Sequence, residues 1–238
     1  MTEATRTNDR ADSDESRYLG ITRSSYDKVA GAYAELVADA LDSRPLDRAL
    51  FGAFVEMVET AVRVGAEIAD IGCGPGHVTA HLCGRGANAF GLDLSPEMVA
   101  VARRRHPDIR FTEGSMTALD LADGSLGGVV SWYSIVHTPP TSLPTVFAEF
   151  HRVLAPGGQL MLGFKAGERL RHLDHAYGHD LSLDVYWMPP DRIAALLEAA
   201  GFTVDSRVIR EPGEAERAAG QGRQAVLLAH RSTEPQEG

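Results

Sequence analysis

The sequence predicts one α/β domain: a mostly parallel sheet covered by helices and preceded by helices at the N-terminus. Three observations predict it. Ala66–Ser95 (AEIADIGCGPGHVTAHLCGRGANAFGLDLS) runs from an apolar stretch into a glycine-rich turn, a helical pattern and a second apolar stretch ending in Asp93. Apolar runs of strand length then alternate with helical patterns as far as His230, as a parallel sheet with crossover helices requires. The run Gln159–Phe164 is apolar without alternation after its first residue, which suits a strand buried on both faces, and Pro156-Gly157-Gly158 stops the helix before it.

The glycine turn carries the most chemistry. A dinucleotide fingerprint has its third glycine one residue further on than Gly76, beneath a pyrophosphate. Here Gly72, Gly74 and Gly76 alternate, and His77 follows them. Pro75 also lacks an N–H that could face a phosphate. Asp70 at the turn would repel a pyrophosphate and attract an ammonium group. Asp93 stands about twenty residues beyond Gly72, where a carboxylate accepts hydrogen bonds from ribose hydroxyls. The expected ligand is a nucleoside with a cationic tail, and S-adenosylmethionine (SAM) has that shape. The segment resembles the cofactor motif of class I SAM-dependent methyltransferases, in which an acidic residue precedes three alternating glycines. Asp70, Gly72, Gly74 and Gly76 match it.

Composition bounds the rest. The chain has 238 residues, 44% of them apolar, enough for one full core. A formal charge of −10 argues against a nucleic-acid partner. No apolar run is long enough to span a membrane, and the polar, acidic start is no secretory signal. Two cysteines, Cys73 and Cys83, build no disulfide framework, so a reduced cytoplasmic setting is expected. Residues 1–16 are expected to be a disordered tail before a single domain over 17–238.

Along the chain, Tyr26, Val29, Ala30, Tyr33 and Leu36 form a helical stripe from Thr22 onward. Leu46, Leu50, Phe54, Met57 and Val58 form a second, with Pro45 in its first turn. Ser95 suits an N-cap and Pro96 the first position of the helix holding Met98. Ile109–Glu113 and Val129–Tyr133 read as the third and fourth strands. The end of the fourth, from Ser131 and Trp132 to His137, should face the ligand crevice. Leu143–Leu154 reads as a helix, Pro190–Ala200 as another, Phe202–Ile209 and Gln224–His230 as the last strands, and 211–222 as a polar loop. Between 165 and 190, His172, His175 and His179 have helical spacing, but Gly178 opposes a helix and no cysteine or carboxylate completes a metal site, so no metal is expected. Tyr177, His179, Tyr186 and Trp187 supply flat surface and polar tips for a substrate cap, or else for a dimer contact.

The resemblance extends over most of Tyr26–His230. Arg152-Val153-Leu154-Ala155-Pro156-Gly157-Gly158 is similar to the turn before strand five of these enzymes, and Tyr26–Tyr33 (YDKVAGAY) to the opening motif of many that act on small molecules. It implies a Rossmann-like seven-stranded sheet, with strand seven antiparallel between strands five and six, and lid helices over about 22–62. It implies that Tyr26 or Tyr33 approaches the methionine end of SAM, with a core-facing aromatic as the alternative for Tyr33. Leu94 and Met98 would sandwich adenine, unless Met98 is helix core. At Gly114-Ser115-Met116 the family often has an acidic residue after the glycine to bond the adenine amino group; Ser115 departs from that pattern. Ser134-Ile135-Val136-His137 resembles a stretch in which the histidine reaches the substrate. His137 is thus a candidate base, or a loop histidine bonded to backbone. The activity implied is methyl transfer from SAM to an oxygen or nitrogen of a small molecule, with S-adenosylhomocysteine (SAH) as product, in a monomer or homodimer. The alternatives are a SAM-binding protein of other or no chemistry, and a nicotinamide-dependent oxidoreductase.

Overall fold

The computed structural model describes residues 3–233, with side chains from residue 15 onward. Two helices come first, α1 (Glu3–Val37) and α2 (Pro45–Ala61). There follow β1 (Ile68–Ile71), α3 (His77–Gly84), β2 (Ala89–Asp93), α4 (Pro96–Arg105), β3 (Phe111–Glu113) and β4 (Leu126–Trp132). A 3₁₀ turn (Ile135–His137) leads to α5 (Leu143–Val153) and β5 (Leu154–Lys165). A hairpin of β6 (Arg169–Ala176) and β7 (His179–Trp187) precedes α6 (Pro190–Ala199), β8 (Phe202–Arg210), the short α7 (Glu214–Ala218) and β9 (Gln224–Arg231).

Seven strands form one sheet in the order β3-β2-β1-β4-β5-β9-β8. All pairings are parallel except those of β9, which runs antiparallel to both β5 and β8. This is the expected seven-stranded Rossmann-like arrangement. Period-two geometry sends alternate residues to opposite faces. Ala69, Ile71, Leu160, Leu162 and Phe164 pack with Phe147 and Phe150 of α5 and Ile193 and Leu197 of α6. Ile68, Val130 and Met161 point the other way, onto Phe51 and Phe54 of α2 and Val78 and Leu82 of α3. Arg152, in the motif before β5, acts as a clamp. Its guanidinium donates to the carbonyls of Leu119 and Leu121, both at 2.8 Å, and to Glu149 Oε1 at 2.7 Å. That ties the β3–β4 connection to α5.

Three differences from the sequence reading have local causes. Helix α1 runs from Glu3, so most of the expected tail is helical; neither proline nor glycine interrupts 3–19. Residues 1 and 2, and the last five, lie outside the described residues. The polar loop after β8 holds α7, whose Glu216 accepts the Gly213 N–H at 2.8 Å and pairs with Arg210. His172, His175 and His179 share no helix face, because 169–187 is a hairpin. Tyr177 (φ 55°) and Gly178 (φ 81°) form its two-residue turn, and positive φ at both positions gives the tight turn that matches strand twist. His172 and His175 instead bond Asp184 (2.7 Å) and Asp180 (2.9 Å).

Two apolar contacts seat helix α1 on α4 and on the hairpin. Ala30 and Ala34 pack on Met98 and Val101 of α4, and Val29 packs on Leu181 and Leu183 of β7. The close fit of α3 to the sheet depends on Gly76, at φ 84°. A Cβ there would lie 2.7 Å from Phe111 Cζ. Gly76→Ala should destabilise the fold by about 2 kcal/mol or more, from left-handed strain plus overpacking. Urea unfolding would measure this, and an unchanged midpoint would show that the contact relaxes freely.

Candidate active site

A cleft opens at the carboxyl ends of β1, β2 and β4, with α1 across its mouth. It encloses about 760 Å³, part of it open to solvent. Open α/β sheets bind ligands at this edge because the turns leaving adjacent strands diverge there. On its floor, Asp93 ends β2 and accepts the Gly74 N–H at 2.7 Å and the Ser95 N–H at 2.9 Å. Burial raises its pKa to about 6 against the pull of these N–H groups. Gly72 has φ 76°, and a Cβ there would stand 2.2 Å from Ser134 Cβ. Ser134 Oγ donates to the Ile71 carbonyl at 2.8 Å, so only glycine lets the turn after β1 meet the turn after β4.

Tyr26, Tyr33, Gly72, Gly74, Asp93 and Leu94 line the cleft as expected. Gly114, Ser115, Met116, Trp132 and His137 do so as well. The Ser115 hydroxyl is already engaged locally, 2.9 Å from Thr117 Oγ1.

Four expected cofactor residues lie elsewhere. Asp70 is 1% exposed beneath the turn, where Oδ2 accepts from Thr79 Oγ1 at 2.7 Å. It ties β1 to α3 and does not reach the cleft; burial lifts its pKa to about 7. Met98 is helix core against α1, because the Ser95 cap on its N–H (3.1 Å) turns that side of α4 inward. Gly76 packs under Phe111, and Ser131 is fully buried with its hydroxyl on Ser134.

The substrate candidates divide as well. Tyr177 and Trp187 line a second cavity, which shares Tyr26, Tyr33, Trp132, Tyr133 and His137 with the cleft. Tyr186 faces a shallow groove beside His137 and Asp184, and His179 is exposed next to the hairpin turn. Burying His179 would require the turn itself to fold inward.

Several lining residues escape a motif reading. Tyr18 and Thr22 stand on the α1 face of Tyr26, four residues apart, a spacing that could have revealed them. Ser134 was visible only as part of the stretch containing His137. Tyr133 follows β4 with φ 56°, a strained conformation for a tyrosine. Its hydroxyl bonds Gln224. No sequence signal marks that strain.

His137 sits at the seam of the two cavities with both ring nitrogens occupied. The Asp184 carbonyl, 2.8 Å from Nδ1, can only accept, so Nδ1 carries the proton. Nε2 then accepts from the Tyr26 hydroxyl at 2.7 Å. Burial lowers the histidine pKa to about 4, and burial also raises that of Tyr26 well above the usual phenol range. At neutral pH the pair is an uncharged hydrogen-bonded unit, and both of its residues line both cavities.

A parallel sheet with a carboxylate and a glycine turn at the carboxyl ends of its strands is the arrangement at which open α/β domains bind ligands. Comparison with known proteins narrows the class. Residues 68–158 match the methyltransferase domain family. The chain is 34% identical over 113 residues to malonyl-[acyl-carrier protein] O-methyltransferase of Pectobacterium atrosepticum, covering 48% of this chain and 44% of that protein. It is 33% identical over 137 residues to demethylmenaquinone methyltransferase of Beutenbergia cavernae, covering 58% and 55%. The chain thus spans about half the length of these curated relatives. Among solved structures, magnesium protoporphyrin IX methyltransferase from Synechocystis PCC 6803 with bound SAM superposes with a TM-score of 0.67 at 18% identity, over 90% of this chain and 97% of that one. The chain is thus similar to SAM-dependent methyltransferases in the sequence of residues 68–158 and in its fold.

The nitrogen assignment is open to measurement. Long-range ¹⁵N–¹H spectra should show His137 neutral, with its proton on Nδ1, throughout pH 5.5–8. Tyr26→Phe should leave Nε2 unpaired and cost about 1–3 kcal/mol in urea unfolding. An Nε2–H tautomer would refute the arrangement.

Proposed function

We propose that this chain transfers the methyl group of SAM to an oxygen or nitrogen of a small molecule, releasing SAH. The observation that carries the reading is the pair of adjoining cavities. One lies over Asp93 and the glycine turn; the other meets it along Tyr26, Tyr33, Trp132, Tyr133 and His137. A methyl transferase needs donor and acceptor in contact, with water kept from between them.

The residues of the cleft fit the donor. The Asp93 carboxylate has lone pairs left for ribose hydroxyls after its two backbone N–H bonds. Leu94 and Met116 provide apolar walls suited to adenine, and Gly72 and Gly74 leave room for the remainder of the molecule. When bound, SAM supplies a sulfonium methyl already activated for displacement. What remains to the protein is alignment. Tyr26 and Tyr33 from α1 cover the junction, and Trp132 and Tyr133 wall it from below.

The Tyr26–His137 pair serves orientation rather than proton removal. At pH 7 a group of pKa about 4 is protonated about once in a thousand. Its natural role is to hold the tyrosine oxygen as an acceptor for a substrate O–H or N–H. This modifies the expectation of a histidine base: His137 acts through Tyr26. The negative charge of the chain supports a small-molecule acceptor over nucleic acid. No described helix is long and apolar enough to cross a membrane. A cytoplasmic monomer or homodimer serving secondary metabolism belongs to the same reading.

Calorimetry tests it. SAH should bind and stabilise the protein where NAD does not, and SAH should be released on turnover with a panel of phenols, carboxylic acids and amines. NAD binding without SAH binding would overturn the proposal. Asp93→Asn should weaken SAH by about 10- to 100-fold, the range for a lost charged hydrogen bond. The sign of the pH effect follows from the raised pKa of Asp93. Above about pH 6 the carboxylate is charged and accepts from ribose; below it the protonated form loses acceptor capacity. SAH affinity should be level from pH 7 to 8, fall below pH 6, and lose that dependence in Asp93→Asn.

A further inference from the structure

We infer that the methyl acceptor carries an oxyanion, a carboxylate or a phosphate, on a flat unsaturated frame, and that Lys165 and Arg171 bind that anion in the second cavity. The inference rests on the reading of the cleft as the donor site and names the substrate class of its neighbour. The cavity encloses about 1250 Å³, part of it open to solvent. Arg44, Lys165 and Arg171 line it against a single carboxylate, Asp47. In a chain of formal charge −10, such a concentration of cations runs against the average.

The partners of these charges separate them. Arg44 stands 3.7 Å from Asp47 and 3.7 Å from Glu216, and Glu216 is held by Arg210 at 2.8 Å. Among the described residues neither Lys165 nor Arg171 has a salt bridge. Lys165 is half-buried at the end of β5, with Nζ 5.1 Å from the ring centre of Trp187. Arg169 covers the same ring at 4.1 Å. An unpaired surface lysine is simply solvated, but one partly withdrawn from water beside further cations is destabilised until an anion arrives. Burial and the fields of Arg169 and Arg171 lower the Lys165 pKa accordingly.

The position is productive for chemistry. Lys165 and His137 line the same cavity, and His137 also lines the cleft. An anion held by Lys165 therefore places the rest of the acceptor at the seam with the cleft. His77 and His137, which also line the cavity, are both lowered to about pKa 4 and add no positive charge at neutral pH. Trp132 and Tyr177 offer the flat walls on which an unsaturated frame stacks.

Calorimetry on the full chain, with and without saturating SAH, would use 2-naphthoate and 2-naphthyl phosphate as anionic probes and 2-naphthamide as the neutral one. At least one anion should bind about tenfold or more tightly than the amide, as a charge-assisted bond implies, with a preference that shrinks as salt is added. The better of the two identifies the oxyanion. Lys165→Met and Arg171→Met should each remove most of the preference. Arg171 is exposed on the hairpin, so its variant keeps the test valid if Lys165→Met fails to fold. Equal binding of all three probes, no binding of either anion, or a preference that survives the substitutions would overturn the inference. SAH titrations on the same samples separate the two readings: SAH bound normally with no anion preference refutes only this inference, whereas no SAH binding refutes the donor site.

Discussion

The structure turns on a half-buried carboxylate that two backbone turns share. Asp93 accepts from Gly74 in the turn after β1 and from Ser95 at the start of α4. Those N–H groups would otherwise be orphan donors at the end of a parallel sheet, and a carboxylate answers both with charge-assisted bonds. The bonds fix the distance between the first two crossovers, and with it the width of the cleft. Ser95 in turn caps α4 and donates to Asp27 of α1 at 2.5 Å, so the same short segment locates the helix that covers the site.

A second constraint acts from the other side. Gly72 admits Ser134 at a separation no side chain would allow, which brings the end of β4 against the turn after β1. Tyr133, next to Ser134, is left with a positive φ. Strain of this kind persists only where neighbours over-determine it, and here the Gln224 bond and the packing of Trp132 on Phe51 supply that restraint. The outcome is a rigid floor under a roof made by α1. Floor and roof meet in the Tyr26–His137 hydrogen bond, which makes that bond both a closure and a polar link between residues that line both cavities.

Much of this was legible in the chain. Glycine spacing marked the turn, Ser95-Pro96 marked the start of α4, and Pro-Gly-Gly marked the irregular first part of β5, between the pairings of Leu154 and Gln159, because each depends on local backbone chemistry. Asp70 and Met98 show where such reading stops. Both occupy positions where a motif suggests a ligand contact, yet one lies beneath the turn and the other against α1. Which side of a turn or helix a residue faces depends on what packs there, and sequence distance does not record it. The histidines of 169–187 make the same point, since helical spacing carries no meaning once Tyr177-Gly178 folds the segment into a hairpin.

By itself, then, the sequence determined the α/β class, the seven strands of the main sheet, the glycine-rich turn after β1 and the carboxylate at the end of β2. All of these follow from periodicity and from residues whose backbone preferences are strong. The tertiary structure alone decided that Tyr26 occupies His137, that the hairpin and α1 enclose a second cavity, and that Lys165 faces it with Arg171 and without a carboxylate partner. Those facts join residues from opposite ends of the chain, and their physical consequence arises only when burial withdraws the groups from water and leaves each dependent on the neighbour that folding supplies.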